Sequence, residues 1–191
     1  MATVPSVPTF NAGSVATAVT LNQLGSAVSF LLAPPKAILQ QTNASPYAGG
    51  QSISATTPTA IGFNSEILDS DNGWTSGNPT KYYAQTPGYF LVEGVWQSTA
   101  ETTSGYRGVY FRITTGSNNP GGSGNTSSYG SQRTPNVTSS SGANYSAVDG
   151  AILLPYMYVN DYVEMIAYSS HAETTGFTDG GCMMSITLVS I

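Results

Sequence analysis

From Lys36 to the C-terminus, apolar and polar residues tend to alternate in short runs broken by turn-forming clusters. That period of two predicts strands over Ala37–Gln41, Thr59–Leu68, Thr80–Gln85, Tyr89–Thr99, Tyr106–Thr115, Ala147–Leu154, Asp161–Ser170 and Cys182–Ile191. Clusters such as "DSDNG", "TPG", "TSG", "YVND" and "TDGG" supply the turns between them. Strands with no helix between them predict an all-β fold, an antiparallel sandwich or jelly roll of about 8–10 strands. The long connection 116–144 is Gly-, Ser- and Asn-rich and is expected among the exposed loops.

Before Lys36 the pattern changes. Residues 1–19 are rich in Pro, Ala, Thr and Val without clear periodicity and read as an extended arm. Thr20–Leu32 then has a period near 3.6, with Leu21, Leu24, Val28, Leu31 and Leu32 on one stripe. Thr20 and Gln23 have capping-box spacing, and Pro34-Pro35 ends the helix. A helix of about three turns is marginal alone, so its stripe must dock. The dock is either the chain's own body or a partner. The expected organisation is an anchor over 1–35, carrying Phe10, Leu21, Leu24, Val28 and Leu31, and a head over 36–191.

The strands themselves pose a problem. In Gly88–Trp96, one face carries Phe90, Val92, Gly94 and Trp96, and the other carries Tyr89, Leu91, Glu93 and Val95. The Asp161–Ser170 strand places Tyr162, Glu164, Ile166 and Tyr168 on one face and Val163, Met165 and Ala167 on the other. The last strand likewise sets Met183, Val189 and Ile191 against Cys182, Met184, Ile186 and Leu188. One face of each builds a sandwich core. The second face would leave an apolar patch well above a few hundred Å² if nothing covered it. Further copies of the same sheet are the economical cover, in a cyclic homo-oligomer. Tyr89, Leu91, Glu93, Val95, Tyr162, Glu164, Ile166 and Tyr168 are therefore the candidate interface. Glu93 and Glu164 would there repel their copies, hold a cation, or pair with Arg112 or Lys81.

Composition narrows the function classes. Only 8% of the 191 residues are charged, and the net charge is −5. The five basic residues, Lys36, Lys81, Arg107, Arg112 and Arg133, do not cluster, which argues against nucleic-acid binding. No apolar run reaches the length of a membrane span, so no membrane insertion is expected, and "MATVPSVPTF" lacks the parts of a secretion signal. Cys182 is the single cysteine and reads as a small buried hydrophobe.

Catalytic signatures are weak. His171 falls in the loop "SSHAETTG", with no G-x-S-x-G elbow anywhere in the chain. No metal-ligand spacing stands out. "DSDNG" resembles the start of a calcium loop but has Thr80 where the closing glutamate belongs, so it reads as a turn. No cofactor is called for, and the chain reads as non-enzymatic. Trp74, Tyr129 and Arg133, in turns or loops, are the candidate receptor surface.

Two resemblances add to this. "TPGYFLVEGVW", "GYRGVYFRITTG", "NDYVEMIAYSS" and the apolar last strand resemble the complement-globular-head and tumour-necrosis-factor-like jelly roll, over about residues 36–191. Asn160 stands where that family usually has Gly. The resemblance implies that the Gly-Tyr strand, the "NDYV" strand and the last strand share one inner sheet and that three copies meet on a threefold axis as a homotrimer. The segment "PTFNAGSVATAVTLNQLGSAVSFLLAPPKAIL" is similar to the start of minor tail and head-fibre proteins of phages infecting actinobacteria. It implies a virion surface protein, assembled in the host cytoplasm and joined through its N-terminus to other virion proteins. Such a protein could contact a host cell-surface glycan. The alternatives are a capsid head fibre or decoration protein, and a carbohydrate-binding or glycan-hydrolysing module.

Overall fold

A computed structural model describes residues 5–13, 15–99, 106–116, 126–135, 145–149, 155–176 and 182–191. One helix, α1 (Ala18–Leu32), precedes the strands β1 (Lys36–Gln41), β2 (Ser52–Ile53), β3 (Thr59–Ala60), β4 (Ser65–Asp69), β5 (Tyr82–Tyr83) and β6 (Gly88–Thr99). There follow β7 (Tyr106–Thr114), β8 (Thr126–Pro135), β9 (Tyr145–Asp149), β10 (Tyr156–Met157), β11 (Tyr162–Ser169), β12 (Glu173–Thr174) and β13 (Cys182–Ser190). The first sheet has the order β10-β6-β13-β1-β4, with β9 also on β6. The second has the order β3-β11-β7-β8, with β5 also on β11, and β12-β2 forms a small pair. All these pairings are antiparallel, as the all-β sandwich requires.

The core lies between the two sheets. Phe90, Val92 and Trp96 of β6 and Met184, Ile186 and Leu188 of β13 meet Val109 and Phe111 of β7 and Val163, Met165 and Ala167 of β11. The sheets approach closely at Gly94, where an added Cβ would sit 2.6 Å from Met165 Sδ and 3.1 Å from the Phe111 ring. Burial of this kind contributes about 25 cal/mol per Å² of apolar surface and dominates the stability of the sandwich.

Several expectations need correction. β11 joins the second sheet, while β6 and β13 pair in the first, so the three do not share an inner sheet. The expected strand Thr59–Leu68 is two strands in different sheets. Ile61 N donates to Met165 O, and Asn64 N then donates to Gln40 O, so the chain crosses the sandwich between them. Ile61 and Phe63 both enter the core at the crossing. β8 runs inside the connection expected to be a loop, paired with β7 from Thr114↔Thr126 to Tyr106↔Pro135. Backbone pairing makes this strand without any apolar alternation. Residues 117–125, 136–144 and 150–154 lie outside the described residues.

The helix also starts earlier than the capping-box reading. Thr17 is the N-cap, with extended φ and ψ of −84° and 159°. Its Oγ1 accepts from Thr20 N at 3.2 Å, so Thr20 lies inside the first turn. Pro34-Pro35 follows, and Leu188 N donates to Pro35 O at 2.9 Å, tying the end of the helix to β13. Asn160 adopts φ of +73°, the left-handed conformation that Asn tolerates in place of Gly.

Candidate functional site

The outward faces of the two sheets differ. On the first sheet, alternation along β6 turns Tyr89, Leu91, Glu93 and Val95 away from the core. Register brings Thr187 opposite Leu91, Ser185 opposite Glu93 and Met183 opposite Val95 on β13, with Lys36 and Ile38 beyond on β1. Tyr89 is 46% exposed and Val189 49%, while Leu91, Val95 and Met183 are half-buried. At one edge Tyr156 of β10 pairs with Tyr89. Their rings meet edge to face at 5.1 Å, and Tyr158 extends the stack at 4.9 Å from Tyr156. Such pairs contribute about 0.5–1.5 kcal/mol beyond their buried area and hold an exposed aromatic ridge in place. Glu93 is exposed, and no ion pair reaches it from the described residues.

The second sheet closes its outward face with the chain's own groups. Ile166 has no exposed surface although it points away from Met165 and Ala167. The Glu164 carboxylate is buried and accepts from Arg112 Nη2 at 2.6 Å and Nε at 3.0 Å, and from Thr80 Oγ1 at 3.0 Å. Lys81 Nζ lies 4.3 Å above the Tyr162 ring, and Tyr83 packs against the same ring at 5.2 Å. Glu164 and Ile166 are thus consumed within one chain. With β6 and β11 in opposite sheets, the eight predicted interface residues form two faces, not one. The structure brings together Tyr89, Leu91, Glu93 and Val95; it separates them from Tyr162, Glu164, Ile166 and Tyr168.

The receptor candidates also move. Trp74 is half-buried and packed on the core, its Nε1 donating to Pro79 O at 3.2 Å, so it closes a turn. The backbones of Tyr129 and Arg133 lie in β8, opposite Phe111 and Gly108, not in a loop. Phe10, in the arm, is 49% exposed. In α1 the whole predicted stripe is exposed, from 39% at Leu24 to 80% at Leu32, whereas Ala27 and Phe30 make the contact with the body. The helix therefore does not dock its stripe on its own domain.

Chemically, five of the carboxylates are occupied by structural contacts. Asp69 accepts from Asp71 N and Trp74 N within the "DSDNG" turn, where Asn72 has φ of +54°. Asp71 accepts from Thr86 Oγ1 at 3.0 Å, and Asp161 from Gly116 N and Tyr158 N. Between the sheets, Glu173 accepts from Arg107 Nε at 2.8 Å and from Ser169 Oγ, with both charged side chains buried. Sequence spacing carries no signal of that pair, which joins β7 to β12. Tyr156 was also missed, although its alternation with Tyr158 was legible in "YMYVND". His171 is half-buried in the bend after β11. Cys182 is buried, and burial pushes its thiol up to about 12.

No family model matches the chain, and no curated protein does. Solved structures do. The globular domain of the zebrafish complement 1qA protein superposes with a TM-score of 0.52 at 10% identity, over 81% of this chain and 97% of that one. Murine APRIL gives 0.55 at 10% identity, over 81% and 98%. The Eiger TNF of S. frugiperda gives 0.56 at 7% identity, over 82% and 94%. The fold is a complement-head and tumour-necrosis-factor-like jelly roll. Its likeness in this range concerns fold and leaves activity to the surfaces just described.

Proposed function

We propose that this chain is a non-enzymatic surface protein of a phage virion, a homotrimer attached through residues 1–35 to the tail, whose head faces the host surface. The observation that carries the trimer is the open outward face of the first sheet. Tyr89, Leu91, Val95, Met183, Tyr156 and Val189 share it, and Glu93 is the acidic group among them. These apolar residues stand among Ser185, Thr187 and Glu93, and isolated soluble domains seldom leave a large apolar patch of this kind to water. A cyclic arrangement covers it with the same face of neighbouring copies and needs no further sequence.

The virion assignment rests on the similarity of residues 8–39 to phage minor tail proteins and on the exposed arm and helix that this segment forms. The non-enzymatic reading is supported by the carboxylates: Asp69, Asp71, Asp161, Glu164 and Glu173 are each engaged in structural contacts. Contact with a host glycan would fall to the outward parts of the head. Light scattering on the purified chain tests the trimer: the mass of three chains is expected, and Leu91→Asp should reduce it to one. Labelling virions with an antibody to residues 36–191 tests the location. Signal at the tail supports the reading, and signal spread over the capsid replaces it with a decoration protein.

A further inference from the structure

We propose that the exposed stripe of α1 is a seam for the same helix of two further copies, forming a short parallel three-helix coil on the axis of the first-sheet interface. This rests on the trimer reading above and says what the helix does within it.

The spacing is the first argument. Leu21, Leu24, Val28 and Leu31 follow each other at intervals of 3, 4 and 3 residues, the a/d repeat by which helices pack on helices. They stand on the flank about 100° round the helix axis from the Ala27–Phe30 contact, so packing on the body leaves them free. The second argument is electrostatic. α1 contains no charged residue, so identical helices meet without repulsion and nothing on the helix selects an oppositely charged foreign partner. The third is continuity. An apolar groove of about 240 Å³, lined by Phe30, Leu31, Pro34, Leu188, Val189 and Ile191, joins the stripe to the end of β13. β13 also supplies Met183 and Val189 to the open face. The Leu188 N to Pro35 O bond fixes the root of the helix beside that face. When three such faces gather round an axis, the three helices leave from adjacent points around it. The arm carrying Phe10 is left to engage another virion protein.

Cys182 is buried, which makes an engineered cysteine the reactive one. Leu24→Cys and Val28→Cys in the full chain, oxidised with copper phenanthroline at micromolar concentration, should give covalent dimers at least tenfold faster than Asn22→Cys on the far side of the helix. Equal, slow cross-linking at all three positions in a chain that still has the mass of a trimer would overturn the seam and leave the trimer reading standing. A stripe reserved for a foreign virion partner would give that same result. A chain that has the mass of one copy and does not cross-link would overturn both. As a second measurement, Leu24→Asn with Val28→Asn should raise the concentration at which the trimer dissociates by tenfold or more; no change overturns the seam.

Discussion

Two sheets of one sandwich present opposite solutions for their outward faces. The second sheet covers its apolar residue, Ile166, with its own chain and pairs its buried charge, Glu164, with Arg112. The first sheet leaves Tyr89 and Val189 half-exposed and Glu93 without an ion pair among the described residues. Both strands carry the same pattern, apolar on both faces with a single glutamate. The pattern says that the second face is covered; topology decides whether the chain or a neighbour covers it. Substitutions should therefore separate cleanly into those that unfold the chain and those that dissociate it.

The largest effect is expected from the buried ion pair between the sheets. Glu173→Ala leaves the Arg107 guanidinium buried without its carboxylate, and should cost about 3–5 kcal/mol, read by denaturant melts. On the closed face, Ile166→Ala should cost about 2–5 kcal/mol by transfer and cavity terms together, with the oligomer state of the surviving folded fraction unchanged. On the open face, Leu91→Asp should shift the stability of the separated monomer by about 0.5 kcal/mol or less, while abolishing assembly. A Leu91→Asp chain that melts like Ile166→Ala would break the comparison, because it would make the first face structural too. A further effect is alkaline. Burial raises the Cys182 thiol to about 12 and raises the Tyr82 hydroxyl as well. Both groups are neutral in the native state at pH 9–11, where the unfolded chain begins to lose their protons. Stability is therefore full below the ordinary thiol range and falls as pH rises through it. Melting temperature should decline from pH 9 to 11, and Cys182→Ala should flatten part of that decline.

Much of this was legible in the chain. Alternation located β6, β7, β11 and β13 to within a residue or so and assigned the core sides of β6 and β11 correctly. It could not assign sheets, because the register between β11 and β7, or between β13 and β6, depends on partners far away in sequence. The link between Glu164 and Arg112, 52 residues apart, was one of three outcomes open to Glu164 from the sequence, and the register of β11 on β7 is what selects it. β8 was illegible for a different reason: its strand is made by backbone pairing, and its side-chain order carries no period of two. The helix stripe was legible, whereas the contact of the helix with the body, through Ala27 and Phe30 on the neighbouring flank, was not.

The open face of the first sheet is tested most directly by the mass of the intact chain in solution. Light scattering at micromolar concentration should give three chains for the native sequence and one folded chain for Leu91→Asp. A native chain that stays folded at the mass of a single copy would contradict it.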